Sequence, residues 1–337
     1  MLLKSLVQNI AGACGYEVRR APQRWVHPRV ARDAASSKPP PGANDPRGML
    51  PACDPPPSGL LPTANADNRP MVAMTDEQRY LFDLKGWLVL PGLLDGEELS
   101  AVRDHVRRFR QQWDSLPPYE RFECSGAGQI LLDHPAVVGV LNEVLSYQPL
   151  ATETCYGFRY DGSFVRSSRA GDADFDPHSG AGLYAFVGNS HIYQNVPGRV
   201  HAGLTRVVWE LNEVRPGDGG TLLLSGSHKA AFPRPAAANE VECPWYDAYA
   251  CPAGSAIVFT ESVIHSYDSA WTSRDRERLA VFICFNTVNS KWHRGGPTPA
   301  VVEALAPKRQ TLFRGAWVDH SDGRLLNTYY SPENHAV

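Results

Sequence analysis

The sequence predicts an α+β, mainly β fold in which N-terminal helices pack on a jelly-roll sheet. Between residues 96 and 113, apolar side chains recur every three or four positions, which is the period of an amphipathic helix. From about residue 153 to residue 288 the chain runs through short segments rich in β-branched and aromatic residues, with turn signals between them. Strands that follow one another without intervening helices are typical of antiparallel sandwiches and barrels.

Composition narrows the class of protein. The chain has 337 residues, 43% of them hydrophobic, which is enough for one large core or two ordinary domains. A net charge of −3 without a basic stripe argues against a nucleic-acid partner. Seven cysteines without a CxxC pair disfavour a zinc ribbon and a disulfide framework, and favour a reducing, cytoplasmic location. No apolar run approaches the roughly 18 residues of a membrane span. We therefore expect a soluble protein.

Two N-terminal segments are expected to precede the main domain. Residues 1–33 begin with apolar side chains at helical spacing and continue with arginines and few acids, so we expect a short amphipathic helix. The same pattern leaves organelle targeting open as the alternative location. Residues 34–73 are dense in Pro, Gly, Ala and Asn without a hydrophobic period. Such a segment buries too little apolar surface to become ordered, and it is predicted to be a disordered linker.

The predicted domain covers residues 74–294. Thr75 and Gln78 form a capping-box pattern at the start of a helix, and GWLVLPG follows as a strand closed by Pro-Gly. A second helix follows Asp95, and a third is expected from Pro135 to Leu145. The strand-like segments after it are ETCYGFRY, SFVRSS, GLYAFVG, TRVVWELNEV, GTLLLSG, SAIVFTES and LAVFICFNTV. Residues 295–337 are expected to form an irregular tail that folds back over the domain.

Two of the eleven histidines stand out because they lie at predicted strand ends. His178 opens a strand-like segment, and His265 closes the apolar run GSAIVFTESVIH. Imidazoles at strand ends can meet at one mouth of a barrel. Two histidines and one carboxylate form the facial triad of non-haem iron sites.

An arginine follows at a suitable place for an anionic cosubstrate. Arg278 heads the strand RLAVFICFN, where its guanidinium could hold a carboxylate through a bidentate pair. Arg276 and Arg274 lie nearby and compete for this role.

Over about residues 75–290 the sequence resembles the phytanoyl-CoA dioxygenase group of Fe(II)/2-oxoglutarate-dependent oxygenases. Four stretches in the family's order carry the resemblance. MTDEQRYLFDLKGWLVLPGLLDGEEL resembles the opening helix, strand and second helix. TRVVWELNEVRPGDGGTLLLSGSHKAAFPRP is similar to the central strands and the GSHK turn. GSAIVFTESVIH resembles the strand with the distal metal histidine, and RLAVFICFN the strand that begins with the 2-oxoglutarate arginine.

The resemblance implies a double-stranded β-helix, or cupin-like barrel, that uses Fe(II), 2-oxoglutarate and dioxygen to hydroxylate a small organic or acyl substrate. It implies that His178 and His265 bind iron and that Arg278 binds the far carboxylate of 2-oxoglutarate. Trp209 is expected to point inward and line the cosubstrate pocket, so its neighbour Glu210 is expected to point outward. The GSHK turn is expected to be structural.

The chain departs from the family pattern at the metal motif. Family members usually carry His-x-Asp, whereas this chain has Gly180 two residues after His178. In one explanation another carboxylate is the third ligand: Asp176, which shares the strand face of His178, or less favourably Glu210 or Asp268. In another, chloride takes the position, as in non-haem iron halogenases, which resemble this pattern. In the third, the domain is a non-catalytic jelly-roll binding protein.

Two hydrolase classes are disfavoured. A zinc hydrolase needs a third protein ligand and a general base, and the sequence has no HExxH cluster. A serine hydrolase of the nucleophile-elbow type needs GxSxG, which is also absent from the sequence.

Overall fold

The computed structural model describes residues 61–179, 191–196 and 198–316. The predicted N-terminal segment, most of the predicted linker, Gly180, the GLYAFVG segment and the end of the tail lie outside the described residues. The helices are α1 (Asp76–Lys85), α2 (Gly96–Gln111), α3 (Ile130–Asp133), α4 (Pro135–Val144), α5 (Pro299–Glu303) and α6 (Pro307–Gln310). The strands are β1 (Trp87–Leu90), β2 (Arg159–Ser168), β3 (Gln194–Val196), β4 (Arg199–His201), β5 (Thr205–Glu210), β6 (Gly220–Leu224), β7 (Ser255–Thr260), β8 (Ile264–Ser269) and β9 (Arg278–Asn286).

These strands form a five-stranded sheet and two strand pairs. The sheet has the order β1-β7-β5-β9-β2, while β6 pairs with β8 and β3 with β4. Every one of these pairings is antiparallel. The expectation of an antiparallel β fold that follows N-terminal helices is confirmed.

The five-stranded sheet is covered on both faces. On β5, Val207 and Trp209 belong to the larger hydrophobic cluster, which also contains α2 and α4. Val208 belongs to a second cluster that includes Leu223 of β6 and Val263, just before β8. We call the face toward the β6–β8 pair the inner face and the face toward the helices the outer face.

The first helix begins as the sequence predicts. The Thr75 hydroxyl accepts a hydrogen bond from the Gln78 backbone N–H at 3.1 Å, and the Gln78 side chain accepts one from the Thr75 N–H at 2.9 Å. The helix ends at Gly86, whose φ of 85° lies in the left-handed region. No helix of the described residues is long and apolar enough to cross a bilayer.

Residues 61–73, which the sequence assigns to the linker, have buried polar contacts in the structure. Asn65 is buried, and Arg309 of α6 pairs with Asp67 and with Asp133 of α3, at 2.9 Å for the latter. Residues 61–73 are therefore part of the fold, because their polar groups have buried partners that composition alone does not reveal. At the other end, α5, the loop between α5 and α6 and the residues after α6 contribute to the larger hydrophobic cluster: Val301, Val302, Leu305, Leu312 and Phe313.

Candidate metal centre

The structure brings His178 and His265 together although they are far apart in the sequence. The backbone N–H of each residue donates to the carbonyl oxygen of the other, with N···O distances of 3.0 and 3.1 Å. Their ring centroids lie 4.3 Å apart, and the ring planes make an angle of 58°. His265 is buried, whereas His178 is partly exposed. The two imidazoles therefore share one place at the edge of the inner face.

Backbone carbonyls orient both imidazoles in the same way. Nδ1 of His178 lies 2.7 Å from the carbonyl oxygen of Asp176, and Nδ1 of His265 lies 2.8 Å from that of Val263. Because a carbonyl oxygen only accepts, each Nδ1 carries the proton, and in a neutral ring Nε2 then carries a lone pair. Nε2 of His265 is buried and has no hydrogen-bond partner among the described residues.

A carboxylate that sequence reasoning missed lies beside this nitrogen. Oε2 of Glu261 is 3.5 Å from Nε2 of His265, and its other oxygen accepts a hydrogen bond from Nε of Arg206. Burial opposes the charge of Glu261, but the Arg206 guanidinium and the neighbouring imidazoles together hold the pKa of this carboxyl at about 2. Burial lowers the pKa of His265 to about 4, so this ring is neutral near pH 7.

The structure does not place the carboxylates that the sequence offers as a third ligand beside the paired imidazoles among the side chains that it describes. Asp176 is exposed, its carbonyl orients His178, and its N–H donates to the Ser266 hydroxyl at 2.9 Å. Gly180 and the side chain of Asp268 lie outside the described parts of the structure. Within the described ranges, no three His, Cys, Asp or Glu side chains are placed so that together they could hold a metal ion.

On β5, Trp209 and Glu210 point to the opposite faces from those that the sequence predicts. Trp209 points to the outer face, where its Nε1 donates to the Leu131 carbonyl at 3.1 Å and its ring contacts His134. Glu210 points to the inner face and meets Arg278: Nε and Nη2 of the arginine lie 3.0 and 2.6 Å from Oε1. Trp209 is therefore not a candidate for contact with a cosubstrate on the inner face.

Arg278 lies on the inner face in a buried ion pair. Besides Glu210, its Nη2 donates to the Thr221 hydroxyl at 3.0 Å and to the Tyr249 hydroxyl at 3.1 Å. Tyr249 in turn donates to Glu210 at 2.6 Å. As these side chains stand, Arg278 does not fit a second carboxylate, because Glu210 already neutralises its charge.

The other predicted arginine is engaged elsewhere. Arg276 pairs with Asp218 at 2.5 Å and with Glu213 at 3.4 Å, and its carbonyl accepts a hydrogen bond from Nε1 of Trp271. These contacts bind the turn before β9 to the turn before β6.

The GSHK turn has the structural contacts that the sequence suggests. Nε2 of His228 lies 3.1 Å from the Asp83 carbonyl, and Lys229 forms an ion pair with the Asp83 carboxylate at 2.6 Å. The Ser227 hydroxyl accepts a hydrogen bond from the Ile264 N–H at 2.7 Å. The turn therefore joins the end of α1 to the start of β8, which carries His265.

The metal-binding candidates pass a test of fit. His265 and His178 present imidazole nitrogens, which are normal ligands of iron and zinc, and carbonyls fix their tautomers as outer-shell partners do in metal sites. A neutral imidazole lone pair that faces a carboxylate oxygen at 3.5 Å is an arrangement that a cation stabilises.

Comparison with known proteins concerns the fold. No protein-family model and no curated protein matches the chain. Among solved structures, apo HygX from Streptomyces hygroscopicus superposes with a TM-score of 0.52 and 18% identity, over 67% of this chain and 95% of HygX. HygX with nickel and 2-oxoglutarate bound gives a TM-score of 0.52 and 17% identity, over 67% of this chain and 96% of HygX. HygX with nickel, 2-oxoglutarate and hygromycin B bound gives a TM-score of 0.52 and 18% identity, over 65% of this chain and 90% of HygX. The chain therefore shares the fold of HygX.

Proposed function

We propose that the protein is an Fe(II)-dependent non-haem oxygenase that acts on a small organic molecule at His178 and His265. The observation that carries this proposal is the pair of imidazoles, each fixed by its Nδ1, with a buried Nε2 of His265 that lacks a hydrogen-bond partner among the described residues. Iron bound there would supply the activation of dioxygen.

The protein residues prepare this site by orientation and by exclusion of water. Carbonyls hold the two imidazoles, and Arg206 keeps the Glu261 carboxylate ionised beside them. Aromatic rings lie on the same face: Phe259 packs edge-on against His265 at 4.8 Å, and Phe164 stacks on Phe282 at 4.7 Å. Such surroundings strengthen electrostatic interactions and exclude side reactions with water.

The likeness to HygX, whose structures include one with 2-oxoglutarate bound, makes this compound the cosubstrate to test. Arg278 is the cation that the sequence offers for it, but Glu210 holds that guanidinium. Binding of 2-oxoglutarate at Arg278 thus requires that Glu210 gives up the ion pair.

The finer features of the proposal rest on the sequence. We propose that the sheets close into a double-stranded β-helix and that the chain is related to the phytanoyl-CoA dioxygenases, which the four motif stretches support. Hydroxylation is the favoured reaction. A cytoplasmic location is supported by the described cysteines, which are all free and buried: Cys124, Cys155, Cys243, Cys251 and Cys284.

Dioxygen consumption tests the proposed function. The full chain is reconstituted anaerobically with Fe(II), and dioxygen uptake is measured with 2-oxoglutarate, with and without chloride. We expect uptake that depends on both iron and 2-oxoglutarate and that His265→Ala abolishes. Uptake or halide incorporation that requires chloride would indicate a halogenase instead. If the wild-type chain binds neither iron nor 2-oxoglutarate, the protein is a binding module and the proposal is wrong.

A further inference from the structure

We propose that Glu261 is the third protein ligand of the metal centre and that Arg206 holds its second oxygen. This inference rests on the proposed function, because it takes the two imidazoles as metal ligands. It differs from the sequence motif, in which the carboxylate would stand two residues after His178.

The distances suit a shared ion. Two donor atoms that each lie about 2.1 Å from one ion are separated by about 3.0 to 3.4 Å for bond angles between about 90° and 109°. Oε2 of Glu261 and Nε2 of His265 are 3.5 Å apart. Two imidazoles on one ion at a right angle have centroids about 4.5 Å apart, and those of His178 and His265 are 4.3 Å apart. The three side chains, all of them described, do not yet form a group that could hold a metal ion, so the proposal requires the Glu261 side chain to move toward His178.

The chain fixes Glu261 at this place through a short turn between β7 and β8. The Glu261 N–H donates to the Leu204 carbonyl at 2.8 Å, and the Val263 N–H donates to the Thr260 carbonyl at 3.0 Å. The same Val263 carbonyl orients the His265 ring. The turn therefore carries Glu261, and its Val263 carbonyl orients His265 in the strand that follows.

The contact with Arg206 is compatible with metal binding. A carboxylate has two oxygens, and metal-ligating carboxylates are commonly hydrogen-bonded by an outer-shell partner. Arg206 lies on the inner face of β5, over the rings of Phe164 and Phe282, and is buried. It can orient Glu261 through one oxygen while the other oxygen binds the ion.

A chain carboxylate at this position also removes the need for an external anion. Two neutral imidazoles alone leave a divalent ion without charge compensation, which is what chloride would supply in a halogenase. Glu261 supplies the negative charge from within the chain, so this geometry favours oxygenase over halogenase chemistry.

Co(II) binding to the full chain tests the inference. It is measured under anaerobic conditions by calorimetry and by visible absorption. We expect Glu261→Gln to weaken Co(II) binding about 100-fold or more, since loss of a ligand should exceed the 10-fold to 100-fold effect of an outer-shell partner. Glu210→Gln is the matched control, because Glu210 is also a buried inner-face carboxylate paired with an arginine, and we expect it to keep the wild-type Co(II) affinity. Arg206→Lys should weaken binding by about 10-fold.

The outcomes separate the two proposals. Wild-type protein that binds no Co(II) overturns both. Wild-type binding that is lost in His178→Ala and His265→Ala but retained in Glu261→Gln overturns only the role of Glu261. Should Glu261→Gln fail to fold, a crystal structure of the wild-type chain with Ni(II) decides: a Glu261 oxygen about 2.1 Å from the ion is expected, and a carboxylate bound to Arg206 alone would overturn the inference.

Discussion

At the scale of single residues, the inner face contains a buried arginine whose charge a carboxylate of the same chain already neutralises. Arg278 and Glu210 are both fully buried and form a close pair, and breaking such a pair leaves one uncompensated charge in the protein interior. The sequence identified Arg278 as a cation for a ligand, but it could not reveal that the chain itself supplies the anion. 2-Oxoglutarate can bind at Arg278 only if the ion pair between Arg278 and Glu210 opens.

Glu210→Gln should therefore raise the affinity for 2-oxoglutarate. Removal of the competing carboxylate leaves the Arg278 charge available, and we expect about tenfold tighter binding or more, equivalent to about 1.4 kcal/mol. Calorimetry with iron-loaded protein under anaerobic conditions measures this. Glu213→Gln, at a half-exposed partner of Arg276, is the control and should change nothing. Equal affinities of wild type and Glu210→Gln would show that Arg278 is not the anchor.

At the scale of elements, the sequence predicted the antiparallel strands and the first helix, because periodicity and capping are local. It misjudged the faces of β5, since all six residues of this strand are buried and no polar alternation marks the two sides. Glu261 was missed for a related reason: it lies in the turn after β7, where the strand period no longer indicates direction. The sequence placed His178 and His265 at strand ends; in the structure His265 lies at the start of β8 and does not close a strand, and His178 joins it through an isolated antiparallel bridge.

The junction of α1, the GSHK turn and β8 should be sensitive to one methyl group. A Cβ on Gly86 would lie 2.3 Å from Cγ2 of Val263 and 2.6 Å from Nδ1 of His228, at a φ of +85°. We expect Gly86→Ala to lower the free energy of unfolding by about 3 kcal/mol or more in denaturant titrations.

Gly217→Ala is the matched control for this substitution. Its φ is +84° and nothing lies within 4 Å of the added Cβ, so only the backbone conformation opposes the change. We expect a loss of about 1–2 kcal/mol. Equal losses in the two variants would mean that the junction is loosely packed.

At the scale of the whole molecule, Arg309 links segments from both ends of the described chain. It is buried and pairs with Asp67 before α1 and with Asp133 of α3, whose second oxygen accepts the Tyr156 hydroxyl at 2.8 Å. Sequence reasoning assigned residues 61–73 to a linker because their composition is polar and rich in turn formers. Their order depends on partners near the C-terminal end, which no local pattern encodes.

Arg309→Ala should destabilise the protein strongly. It leaves Asp133 buried without its cation, and we expect a loss of about 3–5 kcal/mol in unfolding free energy. Arg79→Ala removes an exposed arginine from its pair with Glu143 and should cost less than about 1 kcal/mol. Similar losses for the two variants in thermal and chemical unfolding would contradict the assigned role of Arg309.

The stoichiometry of Fe(II) binding tests the central claim most directly. Anaerobic calorimetry on the full chain should give one Fe(II) per wild-type chain and none for His178→Ala or His265→Ala, while His134→Ala, whose ring packs on Trp209 at the outer face, should bind like wild type. Iron binding that survives either of the first two substitutions, or wild-type protein that binds no iron, would contradict the assignment of these two imidazoles as the metal centre.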